Sequence, residues 1–262
     1  MDKRRIIYYT DELTDEFSTA VITPRAIDET YVYCHDGAFK RFTHFFWYRV
    51  VATPIGFGYA KLAHGHRIVG RAKLKAFKNR GYFLYGNHTQ DIGDAVIPTL
   101  ITTPKDAYVI VHPNNVSMPY LGRVTPSMGA LPLPDNMKAY RNFISAVERR
   151  AKEGHAVVIY PEAHIWPYYT GIRPFTDDSF AYPVKLGLPV FCFTNTYQKR
   201  KLSKKPRIVT YIDGPFYPDE SLPPRERRRA LRDRVYEAMC DRARMNQVEV
   251  IKYVKKEEGT NG

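Results

Sequence analysis

Apolar and polar positions fall into a regular rhythm from about residue 68 onward. Short runs rich in Val, Ile, Phe and Tyr recur at 82–85, 107–111, 156–159, 190–193 and 208–212. Runs of four or five apolar residues bounded by turn formers read as buried strands. Between them lie stretches with helical spacing. Asp135 or Asn136 can cap a helix to about Glu153, with Met137, Tyr140, Phe143, Ile144, Val147 and Ala151 on one face and Gly154 beyond its end. Shorter helices are predicted over 94–102 and over 178–186, the second closed by Gly187 and Pro189. A last helix runs from Ser221 to about Met245, with Leu231, Val235, Ala238 and Met239 as its stripe. Strands alternating with helices predict an α/β fold: a mixed, mainly parallel sheet flanked by helices.

The rhythm is weaker before that point. Residues 1–40 are mixed and polar, with faint strand signals at 6–9 and 31–34. Segment 42–60 is aromatic-rich but interrupted by His44, Arg49, Pro54, Gly56 and Gly58. It falls short of the ~18 uninterrupted apolar residues a membrane span needs. It reads equally as a helix lying in a membrane interface or as a core helix. Residues 1–65 are therefore expected to form an N-terminal helical extension, and residues 66–262 the main α/β domain. The apolar run Ile6-Ile7-Tyr8-Tyr9 is too short for a signal peptide. The tail after Val254 is expected to fray.

Charge narrows the partners. Forty Lys and Arg against 27 Asp and Glu give a formal net charge of +13. The basic residues are partly clustered at Lys199–Lys201, at Lys204 and Lys205, and from Arg225 to Arg234. Such a surface attracts nucleic acid, anionic lipid or phosphorylated substrates alike. No helix-turn-helix, zinc-finger or RNP pattern is present, so a nucleic-acid partner is not expected. The three cysteines, Cys34, Cys192 and Cys240, lack metal-knuckle spacing and read as free thiols in a reducing compartment.

The candidate chemistry sits where two buried strands end. The first is followed by Gly86-Asn87-His88-Thr89-Gln90-Asp91-Ile92-Gly93-Asp94, the second by Tyr160-Pro161-Glu162-Ala163-His164. Ligands in α/β proteins gather at the carboxyl ends of parallel strands. Histidine is the side chain best suited to move a proton near neutrality, provided an acceptor holds its other nitrogen. Asp91, three residues on, and Asp94, six residues on, compete for that role. Gly93 argues that the helix starts only near Asp94, so the loop can fold back toward His88. No Gly-x-Ser-x-Gly elbow supplies a protein nucleophile. With His88 as base, the nucleophile is a substrate hydroxyl, as in acyl transfer from a thioester to an alcohol.

These segments resemble the glycerolipid acyltransferase family, which includes the 1-acylglycerol-3-phosphate acyltransferases. The family's first motif, Asn-His-x4-Asp, is similar to Asn87-His88 followed by an aspartate. Its third, Phe-Pro-Glu-Gly-Thr-Arg-Ser, is similar to Tyr160-Pro161-Glu162. The second and fourth have counterparts at Met128-Gly129-Ala130-Leu131-Pro132-Leu133-Pro134 and Gly187-Leu188-Pro189-Val190-Phe191. Order and spacing agree over residues 70–215. The resemblance implies His88 as general base oriented by an aspartate, taken as Asp94 with one extra residue absorbed in the loop. It implies that Glu162 binds the glycerol or phosphate part of a lysophospholipid-type or glycerol-phosphate-type acceptor. It also implies acyl-CoA or acyl-carrier protein as donor, no metal or other cofactor, and work at the cytoplasmic membrane surface, peripheral to it.

The departures are specific. The second motif lacks its arginine, and Ala163-His164-Ile165-Trp166 stands where Gly-Thr-Arg-Ser is expected. Arg173 is the candidate replacement cation for phosphate, and His164 a candidate wall or headgroup contact. Two other classes compete: a non-catalytic phospholipid- or anion-binding relative, and a metal-dependent hydrolase using His88, Asp91, Asp94, His112 and His164. Against the second, no His-x-x-x-His or His-Glu-x-x-His pair exists.

Overall fold

In the computed structural model, residues 4–17, 22–34, 36–201, 203 and 205–256 are described. Lys204, in one of the basic clusters, lies outside them.

The apolar runs form the middle of a seven-stranded sheet. Its strands are β2 (Arg67–Val69), β3 (Tyr82–Gly86), β4 (Ala107–Val111), β5 (Ala130–Pro132), β6 (Ala156–Ile159), β7 (Val190–Gln198) and β8 (Arg207–Phe216), in the order β2-β8-β7-β3-β6-β4-β5. Strands β7, β3, β6, β4 and β5 run parallel; β8 is antiparallel to β7, and β2 follows β8. The sheet is thus mixed and mainly parallel. Strand β3 is central and buried at every position. Its side chains alternate as a pleat requires. Phe83 and Tyr85 enter one core with Phe143, Val147, Leu231, Val235 and Met239, while Tyr82 and Leu84 enter the other with Ile97, Ile101, Phe191 and Phe193.

Helices cover both faces. Helix α3 (Gly93–Thr102) supplies Ile97 and Ile101 to the second core. The first core is closed by α4 (Met137–Lys152) and α6 (Pro224–Ala243). Asn136 caps α4 as its spacing predicts, its Oδ1 accepting from the N–H groups of Lys138 and Ala139 at 3.0 and 2.9 Å. The predicted helix over 178–186 divides into a 3₁₀ turn at Asp178–Phe180 and α5 (Ala181–Leu186). The last helix starts at Pro224 rather than Ser221, whose hydroxyl and N–H instead close an Asp219 turn.

Strand β9 (Ile251–Lys255) pairs in parallel with β1 (Arg5–Tyr9) as a separate two-stranded sheet, and the tail after Lys256 lies outside the described residues. One expectation near the N-terminus needs correction. The faint signal at 31–34 is irregular backbone, and Tyr33 packs its ring on the first core. Tyr33 donates its hydroxyl to the Pro132 carbonyl at 3.0 Å.

The aromatic segment is helical from Ala38 to Ala63: α1 (Ala38–Phe45), a π-helical stretch Phe46–Ala52, α2 (Thr53–Gly58) and a second π-helical stretch Tyr59–Ala63. Proline lacks the N–H for an ordinary helical bond. Pro54 stands where the first wide stretch hands over to α2. One face grips the domain. Buried Tyr48 receives the Ala107 N–H at 2.7 Å and the Thr99 hydroxyl at 3.0 Å, and Arg49 and His44 both pair with Asp106. Gly56 lets α2 lie against α3, since a Cβ there would meet Val96 at 2.9 Å. The opposite face leaves Phe39, Phe42, Phe45, Ile55, Phe57 and Leu62 exposed. Among the described residues no helix is long and apolar enough to cross a membrane.

Tyr48→Phe strands the buried Ala107 N–H, so it is expected to cost about 1–3 kcal/mol. Urea unfolding of the variant against wild type checks this.

Candidate active site

The site is built on the loops that leave β3 and β6, neighbours in the sheet. Asn87 ends β3's run and fixes the loop to the sheet. Its Oδ1 accepts the Asn195 N–H at 2.8 Å, and its Nδ2 donates to the Asn195 carbonyl at 3.1 Å. The chain then turns, with the Asp94 N–H reaching the Gln90 carbonyl at 2.9 Å, and α3 begins at Gly93. This turn carries the one-residue excess in the loop and brings Asp94 back under His88.

His88 Nδ1 lies 2.8 Å from Asp94 Oδ2, which also accepts the Gln90 N–H at 2.9 Å. Asp94 is 3% exposed, whereas the His88 side chain keeps 24% of its surface open. Asp91 is exposed and stands outside this pair. Burial raises the Asp94 carboxyl above its ordinary range, opposed by the hydrogen bonds and charge of His88 and by the Gln90 and Thr89 backbone. A carboxylate acceptor fixes the Nδ1–H tautomer, which leaves Nε2 as the basic nitrogen. Tyr160 stacks its ring on the imidazole, with centroids 4.7 Å apart, and donates its hydroxyl to the Asp94 carbonyl at 2.6 Å.

Glu162 stands beside this dyad and points inward. One of its oxygens accepts the His88 N–H at 3.1 Å and the other the Arg173 N–H at 3.2 Å. The Glu162 and Arg173 side chains are both 0% exposed and face each other at 3.6 Å. Arg173 donates from Nη1 to the Glu12 carbonyl and from Nη2 to the carbonyls of Glu162 and His164, its buried Nε–H has no partner among the described residues, and the guanidinium lies 4.9 Å from the Trp166 ring. Burial outweighs mutual attraction for both partners: it raises the Glu162 carboxyl and lowers the Arg173 guanidinium.

The expectations that Glu162 contacts the acceptor and that Arg173 is a spare cation for phosphate therefore do not match their placement. Both are enclosed and already bonded. Glu162, backed by Arg173, holds the His88 N–H, and the His88 carbonyl is gripped in turn by the Trp166 N–H at 3.1 Å.

His164 lies on the surface with Nδ1 3.1 Å from Glu16 Oε2. The segment around it is covered by the N-terminal stretch. Glu16 receives the Ile165 N–H, Asp15 receives the Trp166 indole N–H at 2.7 Å, and Phe17 packs edge-on to Trp166. Ala163 takes a left-handed conformation, φ 61°, where the resembled motif has glycine. His112 caps the 3₁₀ turn Pro113–Val116, and among the described residues no three His, Cys, Asp or Glu side chains converge as a metal would require.

Residues outside the sequence expectations complete the site: Asn87, Tyr160, Asn195, Thr210 and His66. A Thr-Asn-Thr run at 194–196, inside an otherwise apolar strand, was the available signal, because buried amides need partners.

A family model described as Acyltransferase matches residues 66–194, from the approach to β2 into β7. This stretch of the chain belongs to the acyltransferase family. The fold is shared with a crystal structure of the 1-acyl-sn-glycerophosphate acyltransferase PlsC from Thermotoga maritima. The match has TM-score 0.55 and 18% identity and covers 80% of this chain and 89% of that one. No curated protein sequence matches it.

Arg173→Met leaves Glu162 buried without its partner, an expected loss of about 3–5 kcal/mol near neutral pH. With its carboxyl raised further, Glu162 takes a proton more readily when folded than when unfolded. The deficit should therefore shrink as pH falls through the folded-state value. Denaturant titrations across an acidic pH series would show it; a deficit that stays constant or grows on acidification would contradict this placement.

Proposed function

We propose that the protein is an acyltransferase that moves a fatty acyl group from acyl-CoA or acyl-carrier protein to the hydroxyl of a lysophospholipid-type or glycerol-phosphate-type acceptor. The observation that carries the reading is the half-open His88 imidazole, its Nδ1 tied to buried Asp94 and its Nε2 left for substrate. The acyltransferase family match supports the reaction class, and the fold shared with PlsC supports a glycerolipid acceptor.

In this mechanism His88 Nε2 removes the acceptor hydroxyl proton as the oxygen attacks the thioester carbonyl. The tetrahedral intermediate collapses with formation of the ester C–O bond and cleavage of the C–S bond. The departing thiolate takes the proton back from His88. Asp94 stabilises the transient imidazolium without taking the proton itself, as triad carboxylates do. Glu162, Arg173 and Trp166 contribute by holding the His88 peptide in place.

Acceptor recognition departs from the resembled pattern. The residues replacing Gly-Thr-Arg-Ser are engaged by the N-terminal stretch, and Arg173 is buried. Lysophosphatidate is therefore one member of an acceptor panel rather than the assumed substrate. The exposed aromatic face of the 38–63 helix, with Lys40, Arg41 and Lys61 among its residues, suits a membrane surface carrying anionic lipid.

The test is acyl transfer from acyl-CoA and from acyl-carrier protein to lysophosphatidate and other lyso-lipids. His88→Ala is expected to lower kcat by about 10²–10⁴-fold with the fold retained by circular dichroism. Absence of wild-type turnover on every acceptor with both donors would overturn the reading. For the membrane surface, replacing Phe39, Phe42 and Phe45 together by Ser should weaken co-sedimentation with anionic vesicles. Unchanged sedimentation would remove that helix from the docking surface.

A further inference from the structure

Asp94 has a second oxygen, and it leads away from the substrate side. Oδ1 accepts from Asn195 Nδ2 at 3.4 Å. Asn195 Oδ1 accepts the Thr210 hydroxyl at 2.6 Å, and Thr210 Oγ1 lies 2.8 Å from His66 Nε2. Asn195, Thr210 and His66 are 1%, 0% and 2% exposed. The chain crosses the strand pair β7–β8, where Asn195 stands opposite Thr210 in the register, and ends just before β2.

Its direction follows from counting protons. A hydroxyl has one to give. Thr210 gives it to Asn195, so toward His66 it can only accept, and His66 Nε2 must carry the hydrogen. Asn195 Oδ1 is then the amide atom facing Thr210, and Nδ2 faces Asp94. The opposite amide orientation would set the Asn195 carbonyl against an ionised carboxylate. Burial pushes His66 down to about 4, so it stays neutral at ordinary pH and acts as a donor without a charge.

We infer that Asn195 is a positioning residue of the His88–Asp94 dyad, and that Thr210 and His66 hold its amide in the orientation that donates to Asp94. The inference rests on His88 acting as the base. Its physical effect is separable from turnover: a donor aimed at Asp94 lowers the proton affinity of the whole dyad. Removing it makes the potential at both groups more negative. The dyad then titrates at higher pH, as one coupled unit.

The other titratable groups around the dyad are Glu162 with its partner Arg173, and Tyr59, Tyr160, Tyr168 and Tyr197. Burial raises all four tyrosines, so they remain neutral through the range concerned. Thr210→Val alters none of these groups.

The experiment follows the His88 ring nitrogens by ¹⁵N NMR through a pH titration of wild type, Thr210→Val and Thr210→Ser, beside the pH profile of kcat/KM. Thr210→Val should raise the dyad titration by roughly half to one pH unit, and the acid limb of kcat/KM should rise with it. Near neutrality kcat should fall roughly three- to tenfold with KM unchanged. Thr210→Ser, which keeps the hydroxyl, should restore both. A Thr210→Val variant that loses stability but titrates as wild type would reduce the chain to a structural role and overturn the inference.

Wild type alone provides a second reading should Thr210→Val fail to fold. The Asn195 side-chain amide resonance should move with the His88 titration, and a resonance that stays constant would also overturn the inference. Loss of the acyltransferase reading would appear separately, as turnover indifferent to His88→Ala, while the NMR titration would still decide whether Asn195 governs the dyad.

Discussion

Two carboxylates buried at the ends of neighbouring strands impose the constraint on which the rest of the site depends. A carboxylate withdrawn from water must be met by donors or give up its charge. Asp94 is met by His88, the Gln90 N–H and Asn195; Glu162 is met by the His88 N–H, the Arg173 N–H and the Arg173 guanidinium. His88 appears in both lists, through its ring and through its peptide. The candidate base is thus fixed by satisfying its two acidic neighbours. Neither carboxylate needs to touch a substrate to matter.

That constraint also explains why distant parts of the chain converge here. The Arg173 guanidinium also donates to the carbonyls of Glu12 and His164, which ties the N-terminal stretch and the loop after β6 to the site. Strand β1 pairs with β9, and the stretch that follows β1 crosses the loop after β6. The loop itself is strained. Ala163 at φ 61° holds a conformation that costs an L-residue roughly 1–2 kcal/mol, and Tyr168 does the same at φ 58°. Two backbone bonds to the 88–89 loop, from Trp166 and Tyr168, compensate that cost. Where the resembled motif spends this loop on arginines, this chain spends it on internal contacts.

The sheet was legible in the sequence because its strands are buried on both faces and stand out as apolar runs. The three-residue strands β2 and β5 were not, being shorter than any periodicity signal. Strand β9 escaped because its pairing depends on β1, over two hundred residues away in the sequence. His88 and Asp94 were legible because a strand end, a glycine and a later helix start together imply a turn. The inward roles of Glu162 and Arg173 were not, since a carboxylate and a guanidinium look alike in sequence whether they meet a ligand or each other.

The aromatic helix shows the same ambiguity resolved differently. Its pattern suited both a core helix and an interfacial one; the structure buries one face and leaves the other exposed. Tyr48, Gly56 and Ala60 are buried, whereas Phe39, Phe42 and Leu62 are each more than 60% exposed. Exposed singly, such residues are unremarkable, but a row of them on one helix is an apolar surface that water disfavours. The two π-helical stretches flank α2, so the turns that widen the helix lie on either side of its closest approach to α3. The helix that bears the exposed row is therefore held to the α/β domain by Tyr48 and Gly56, and it leads, through His66 and β2, into the side of the sheet from which Asp94 is supported.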